Sequence, residues 1–443
     1  MKLIHYISAT LLIFISTGLY LQSDNKPTIK NNKAQTFVII GSSAAGQGCA
    51  YELSKLIKNG SLAPTSRIIW ISADKNPPYK RTDLASYISK DKDIFTNKKE
   101  NNSITYISNQ RVTHIHKDQK TIELDNGQTI AYDKLFLGLG STPTKLDIPH
   151  VKGVFQYFSL DDATAIKNSI TQQSQQKAVV LGAGLCALEC VDVLNKGGLD
   201  VTLVTKGEHV LNRKISTQDA TFIENAMLQK NIRHHRNATV TNIIEKQGIL
   251  THVALSDGSV LPTDIFVYAI GGHPNTKLAQ DAGLILHSNG ILVDDYMCTS
   301  DADIYAAGDC TTLKDRITGT LVNSEKWNDA REQGKIAAHA MTGITVEPYE
   351  GAVIGNIATF FDTCFAISGP LTNPEGHTIA EYTQDGAYYK FLLKEGKLKG
   401  YFAFNISRAK MFVLRKALIA QEVIDPQDLV NSSFIRDIIN IFI

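Results

Sequence analysis

Two glycine turns constrain what this chain can fold into more than any other feature. Gly41-Ser42-Ser43-Ala44-Ala45-Gly46 follows the run Thr36 to Ile40, and Gly182-Ala183-Gly184-Leu185-Cys186-Ala187 follows Lys177 to Leu181. Both runs are short, apolar and rich in β-branched residues, which predicts buried strands. A helical stretch follows each turn, Gly46 to Ile57 and Cys186 to Asn195, and then another apolar strand, Arg67 to Ser72 and Asp200 to Val204. Two βαβ starts about 140 residues apart indicate a duplicated unit, because parallel strands need a crossover helix between them.

A glycine turn between strand and helix leaves the first amides of the helix open to a phosphate. In the first turn Gly41 permits the tight bend and Gly46 the close helix–strand packing. The middle glycine of the G-x-G-x-x-G pattern is replaced by Ser43, beside Ala45. Asp74 is the acid expected to accept from ribose hydroxyls. It lies farther on than the usual ~20 residues, and the loop around Gly60 to Ser66 accounts for the excess. The alternative for the turn is a plain surface bend, and for Asp74 a solvated turn residue. The second turn is a full match, with Ala187 in the allowed last position. At the end of its second strand, where an NAD site places an acid, stand Thr205 and Lys206, with His209 and Arg213 just beyond. A cation there suits a 2′-phosphate and favours NADPH over NADH, unless Lys206 is simply a solvated loop lysine.

Composition narrows the remaining classes. Lys plus Arg total 45 against 44 for Asp plus Glu, which gives no electrostatic reason to expect a nucleic-acid partner. The six cysteines form no C-x-x-C and no metal-ligand spacing, so a reducing compartment is the simpler inference and no metal site is expected. Cys49, Cys186 and Cys190 read as small buried packing residues. Leu3 to Leu21 is almost uncharged and, as a helix at ~1.5 Å per residue, reaches roughly the thickness of a bilayer core. It is expected to be a membrane anchor with the body on the cytoplasmic side; the alternatives are a signal peptide cleaved on export and a buried helix. Asn25 to Gln35 reads as a linker. Hairpins are expected at Gly127 and at Asp257-Gly258, then a strand over Asp264 to Ile270. A further hairpin around Glu395-Gly396, between Tyr388 to Leu393 and Lys399 to Asn405, suggests a third, smaller domain.

With these motifs in place the chain resembles the pyridine nucleotide-disulfide oxidoreductase superfamily, which binds FAD and NAD(P)H. It is most like the ferredoxin/rubredoxin reductases and the apoptosis-inducing-factor-like members. Thr299 to Asp309 (T-S-D-A-D-I-Y-A-A-G-D) is similar to the second FAD fingerprint, in which the carboxylate at Asp309 holds the ribityl chain. Tyr268 to Thr276 is similar to the strand and turn closing the NAD unit. Glu325-Lys326-Trp327 with Ala330, Gln333 and Gly334 is similar to the helix beneath the flavin, and Pro78-Tyr79-Lys80-Arg81 to the flavin-contact loop. The resemblance implies an α/β fold with two Rossmann-type domains and a small α+β C-terminal domain. The FAD domain would comprise residues 36–150 and 271–345, the NAD(P)H domain 151–270 and the interface domain 346–443, after an N-terminal segment and linker over 1–35. It also implies that Val112, Gly140, Gly271 and Gly308 contact cofactor beside the residues already named. Glu189 would accept from the nicotinamide amide, so Glu189 and Trp327 are the expected catalytic pair. Hydride would then pass from NAD(P)H to FAD.

Departures from the family pattern shape the expected activity. No C-x4-C pair exists, and the flavin-loop position that carries a single cysteine in some members is Thr82, whose hydroxyl cannot cycle through a disulfide. The family lysine near the flavin falls at Ser86, while its acidic partner survives as Asp161. Thr359-Phe360-Phe361-Asp362 stands where a Phe-Trp-Ser-Asp segment is usual. The expected function is therefore electron transfer from NAD(P)H through FAD to a ferredoxin- or rubredoxin-type protein. The alternatives are a membrane-associated quinone reductase and a redox-sensing or scaffolding flavoprotein. The expected partners are an electron-acceptor protein or quinone, a membrane through residues 3–21, and a second copy in a homodimer.

Overall fold

A computed structural model describes residues 33–96, 103–170, 176–372 and 374–430. The first unit runs β1 (Thr36–Ile40), α1 (Ala44–Lys58), β2 (Arg67–Ile71), α2 (Leu84–Lys90), β3 (Ile104–Ile107), a meander of β4 (Val112–His116), β5 (Thr121–Leu124) and β6 (Thr129–Ala131), then β7 (Lys134–Leu137). After β8 (Ser141–Pro143), β9 (Val154–Gln156) and α3 (Leu160–Ser169) the same grammar returns. It runs β10 (Lys177–Leu181), α4 (Leu185–Lys196), β11 (Asp200–Val204), α5 (Thr217–Gln229) and β12 (Arg233–His235). A second meander follows, β13 (Val240–Lys246), β14 (Ile249–Leu255) and β15 (Val260–Pro262), and then β16 (Ile265–Tyr268).

The duplication is therefore complete, meander included. The first parallel sheet has the order β20 (Ile304–Ala306), β7, β1, β2, β3 and the second β12-β11-β10-β16-β9. Each central strand ends in its glycine turn between two parallel neighbours, the position at which such sheets open a crevice for ligands. The central strands β1 and β10 are buried beyond their first residues, and β-branched and aliphatic side chains fill both faces, as a parallel sheet covered by helices requires. The edge strands come from elsewhere in the chain: β20 pairs with β7, and β9 with β16. The chain leaves the first sheet through β8 and returns through β17 (Gly272–Pro274), and these two segments pair antiparallel.

The return passes α6 (Lys277–Asp281) and a small sheet of β18 (Leu286–His287), β19 (Gly290–Leu292), β21 (Thr311–Lys314) and β22 (Leu321–Asn323). Then α7 (Trp327–Thr342) crosses α1 with glycines at the contact. A Cβ on Gly334 would lie 2.1 Å from the Ala45 carbonyl oxygen, and one on Gly48 2.1 Å from that of Arg331. The C-terminal part is a five-stranded antiparallel sheet of β23 (Gly355–Phe360), β24 (Thr363–Ser368), β25 (Thr378–Gln384), β26 (Ala387–Lys394) and β27 (Lys397–Phe404), followed by α8 (Arg408–Ala420) and α9 (Pro426–Val430).

The expectation of a membrane-anchored protein is corrected. Among the described residues no helix is long and apolar enough to cross a membrane. The segment on which the anchor, its signal-peptide alternative and the membrane contact rested, residues 3–21, lies outside the described residues.

Candidate active site

The first turn is shaped by contacts that only glycine tolerates. Gly41 has φ +103°, and a Cβ there would sit 2.0 Å from the Gly138 carbonyl oxygen. Its N–H donates to Ile71 and its carbonyl accepts from the buried Trp70 indole, both at 2.8 Å. Gly46 lies against that same carbonyl, 1.9 Å from where its Cβ would be. In the second turn Gly182, at φ +146°, would place a Cβ 2.4 Å from the Ala269 carbonyl oxygen and 3.0 Å from the Ala187 methyl. Gly184 differs: a Cβ there would meet nothing within 4 Å, so the turn faces open space.

The two helices behind these turns share an electrostatic signature. Ser43 caps α1 and Gly184 caps α4, neither supplies a side-chain cap, and neither first turn holds an acid. By contrast α3 and α5 are capped by the Ser159 and Ser216 hydroxyls and carry Asp161, Asp162 and Asp219 in their first turns. Unsatisfied amides and an uncompensated positive dipole end at both turns suit an anion such as a pyrophosphate.

Beside the first turn, Gly308 donates its N–H to Gln333 Oε1 at 3.0 Å and nests against Ala45 and Ala330. This delivers the next residue, Asp309, into the cleft, where its carboxylate accepts from the Ser141 hydroxyl at 3.1 Å. Burial pushes the Asp309 carboxyl above its ordinary value, partly offset by Ser141 and the charge of Arg81. The Arg81 guanidinium stacks 4.1 Å from the Phe158 ring centroid, yet its buried Nε has no partner in the protein. A buried donor left unpaired asks for a ligand. Glu325 also titrates above the usual carboxylate range, through burial and then the Asp309 charge. Trp327 opens α7 one turn before Ala330 and is half-buried.

Cys186, predicted to be a buried packing residue, is exposed, whereas Cys49 and Cys190 are buried. The Cys186 thiol is nevertheless crowded by protein: burial, then the charges of Glu189 and Glu325, push it up to about 11, while Arg81 pulls it down. Solvent-accessible and yet surrounded, it lines a cleft, and its neighbours bring the start of α4 together with Arg81 and Asp309. Glu189, one turn further along α4, is raised to about 7, chiefly by burial, and accepts from the Tyr157 hydroxyl at 2.9 Å.

The other residues expected to contact cofactor stand mostly in the loops at strand ends. Asp74 lies past the end of β2, with Oδ1 already accepting from the Asn76 amides. Val112 begins β4, two residues after Gln110, whose N–H donates to Ser72 at the end of β2. Gly140 and Gly271 flank the β8–β17 crossing, both with positive φ and nothing within 4 Å of a Cβ. Thr205 is fully buried, its hydroxyl within 2.9 Å of the Gly207 carbonyl and 2.8 Å of His234 Nε2, and Lys206 beside it is exposed. Ser86 is half-buried in α2. Asp161 pairs instead with Lys75 at 3.0 Å, a lysine from the loop after β2 that no motif marked. Tyr157, Phe158 and Ser141 were also missed; only Ser141 carried a signal, standing directly after Gly140.

Two uncapped glycine cradles, an arginine whose Nε is unpaired and a half-buried acid fit two anionic dinucleotides. No cluster that could hold a metal is found among the described residues. Residues 35–334 match the family model described as pyridine nucleotide-disulphide oxidoreductase. The chain is 29% identical over 408 residues to the assimilatory nitrate reductase electron transfer subunit of Bacillus subtilis, covering 88% of the chain but only half of that relative's length. It is 29% identical over 314 residues to a rubredoxin-NAD(+) reductase of Ectopseudomonas oleovorans, covering 69% of the chain and 80% of the relative. Among solved structures, the ferredoxin reductase for the CYP199A2 system from Rhodopseudomonas palustris matches with a TM-score of 0.79 at 26% identity, over 91% of this chain and 99% of that one. The chain thus belongs to the pyridine nucleotide-disulphide oxidoreductase family, and is an FAD- and NAD(P)H-dependent oxidoreductase homologous to the ferredoxin and rubredoxin reductases.

Proposed function

We propose that this flavoprotein takes electrons from NADPH and passes them to a small ferredoxin- or rubredoxin-type carrier protein. The observation that carries this reading is the absence of a usable thiolate among the described residues of the cleft. Cys186 is held protonated by burial and nearby carboxylates, and Thr82 on the flavin loop has a hydroxyl where thiol members carry sulfur. Electrons then have no disulfide to pass through and must leave directly to a partner. FAD, when bound, supplies the conversion between the electron pair of a hydride and electrons released singly.

The protein's own part is to bind and orient. The α1 and α4 amides hold the two pyrophosphates, Asp309 accepts from a sugar-alcohol hydroxyl, and Arg81 supplies its unpaired donor. Glu189 accepts from the nicotinamide carboxamide. At the adenosine end of the second site the Thr205 hydroxyl is turned inward to His234, and the exposed Lys206 beside it is the cation offered to a 2′-phosphate. Names borne by relatives, such as rubredoxin-NAD(+) reductase, support the acceptor class.

The test is steady-state oxidation of NADPH and NADH by the purified yellow protein, with ferricyanide, a quinone, a ferredoxin and a rubredoxin as acceptors. Rapid turnover with an iron–sulfur or rubredoxin acceptor, and a higher kcat/KM for NADPH, is expected. Turnover with the quinone alone, or with none of the acceptors, would overturn the assignment.

A further inference from the structure

Beside the first turns of α4 lies a contact that neither glycine turn explains. Tyr157 follows β9 at the edge of the second sheet, 5% exposed, with its backbone N–H donating to the Tyr268 carbonyl at the end of β16 at 3.3 Å. From that anchor its phenol crosses to α4 and donates to Glu189 Oε2 at 2.9 Å. No other protein hydrogen bond to Glu189 is made among the described residues, and no lysine or arginine pairs with it. A phenol on a rigid two-torsion side chain therefore holds one oxygen of a carboxylate that lacks a cation.

We infer that Tyr157 is a positioning residue for Glu189: its phenol fixes Oε2 and leaves Oε1 as the acceptor for the carboxamide of the bound nicotinamide. The inference rests on the reading of Glu189 given under Proposed function. A glutamate has three rotatable bonds, and an unheld one lining a cleft must be ordered each time it binds. Tyr157 does that ordering in advance. No other described contact does: Arg81 and Asp309 belong to the first cofactor's end, and Cys186 offers only a weak donor.

The same bond acts on ionisation. The groups facing Glu189 are Asp83 before α2, Asp192, Cys186 and Cys190 on its own helix, and Tyr157 just after β9. At the β23 side the Phe361 N–H binds Asp192, and Asp362 is held by Lys196 and Lys230. Burial, Asp192 and Asp83 raise the Glu189 carboxyl and the Tyr157 bond lowers it, with the balance near 7. A donor to the charged form stabilises that form, so removing the phenol raises the carboxyl further and narrows the pH range in which Glu189 is a full acceptor.

The experiment compares FAD-loaded wild type, Tyr157→Phe and Glu189→Gln by calorimetric titration with the tetrahydro analogues of NADH and NADPH, which bind without giving up hydride. Titrations run from about pH 5.5 to 9, a window that lies between the ordinary carboxylate and phenol values and brackets that of Glu189. Wild-type affinity should rise as pH passes about 7. In Tyr157→Phe the rise should move up by about one pH unit and the affinity at neutral pH fall roughly tenfold. In Glu189→Gln the rise should vanish. If Glu189→Gln loses the rise while Tyr157→Phe overlays wild type, the positioning role is wrong and the Glu189 reading stands. If Glu189→Gln itself behaves like wild type, the Glu189 reading is wrong and the inference falls with it. Should Tyr157→Phe fail to retain FAD, infrared difference spectra of wild type settle the matter. The Glu189 carboxyl band, assigned by its loss in Glu189→Gln, should lie at a hydrogen-bonded frequency, and a free-carboxyl frequency would overturn the inference.

Discussion

Lys390 reaches from β26 to Asp219 in the first turn of α5, with Nζ 3.1 Å from Oδ2, its side chain 7% exposed and that of Asp219 fully buried. This pair ties the C-terminal sheet to the second parallel-sheet unit. The Ser216 hydroxyl also donates to Oδ2 at 2.7 Å, so Oδ1 is the oxygen left without a partner if Lys390 is lost. Lys390→Ala leaves a buried carboxylate uncompensated and is expected to cost about 3–5 kcal/mol of stability. Lys390→Met combined with Asp219→Asn, which removes both charges, should recover most of it. Urea unfolding of the FAD-loaded protein checks this. Equal losses for the single and double variants would show that the pair has no coupling.

Asp309 depends on a residue far away in the chain, since Ser141 and the Gly308–Gln333 bond together aim its carboxylate. Asp309→Ala removes a half-buried acceptor without disturbing either glycine turn. FAD occupancy after desalting, read from the ratio of flavin to protein absorbance, should fall below about half. Ser141→Ala should weaken retention in the same direction but less, because it removes only one donor to Asp309. Full occupancy in Asp309→Ala would remove this residue from the FAD site.

How much of this could be read from the sequence follows from how local each feature is. Strands β1, β10 and β11 fall at the predicted residues, because a strand covered on both faces is a continuous apolar run bounded by polar or glycine residues. Helix α1 begins at Ala44, two residues before the predicted Gly46, because the glycine turn itself supplies the first helical residues. Edge strands β9 and β20 have three residues each and no periodicity to detect. The backbone role of Gly41 and Gly182 was legible, since only glycine fits the turn. The Tyr157–Glu189 and Ser141–Asp309 contacts were not, because they join side chains whose approach is decided by how sheets and helices stack. Cys186 was misread for a related reason: helical spacing places it next to Cys190 but does not say that its own face opens onto the cleft.

Lys326 provides a pH test. It stands just before Trp327 and its ammonium donates to the Val353 carbonyl. Burial, reinforced by Arg415 and opposed by Asp329, lowers it from the ordinary 10.5 to about 8. Because the folded value lies below the unfolded one, the folded protein binds fewer protons between these two pH values, and stability rises with pH across that window. The gain should be roughly 1–3 kcal/mol and should be absent in Lys326→Met. Denaturation midpoints of both proteins at pH values below, within and above the window measure it. Parallel curves for the two would exclude Lys326 as the source.

Gly184 caps α4 with φ −88° and ψ 177°, a backbone that any residue adopts, and open space lies where a side chain would go. Aspartate is a strong helix cap, so Gly184→Asp should fold at least as stably as wild type. Its carboxylate would nonetheless occupy the anion site at the helix end, and like charges brought together there cost several kcal/mol. Flavin reduction at a fixed NADPH concentration should slow at least about 100-fold, with FAD content unchanged. A wild-type reduction rate would show that the second cofactor does not bind at this turn.

Specificity for the phosphorylated cofactor turns on the loop after β11. Thr205 occupies the position of the usual acid but is fully buried, with its hydroxyl between the Gly207 carbonyl and His234, so it contributes nothing to a ribose outside. Lys206 is exposed next to it and free to approach a 2′-phosphate. A charge-assisted contact of this kind contributes about 1.5–3 kcal/mol, or a factor of roughly ten to a hundred. In Lys206→Glu the contact becomes a repulsion for NADPH, while NADH gains a carboxylate that its 2′-hydroxyl can donate to. The ratio of kcat/KM values, NADPH over NADH, should therefore fall by at least about tenfold, through KM more than kcat because the change is remote from the reacting end. A ratio equal to that of wild type would mean that Lys206 is an ordinary solvated lysine and that cofactor choice is decided elsewhere on the β11 edge.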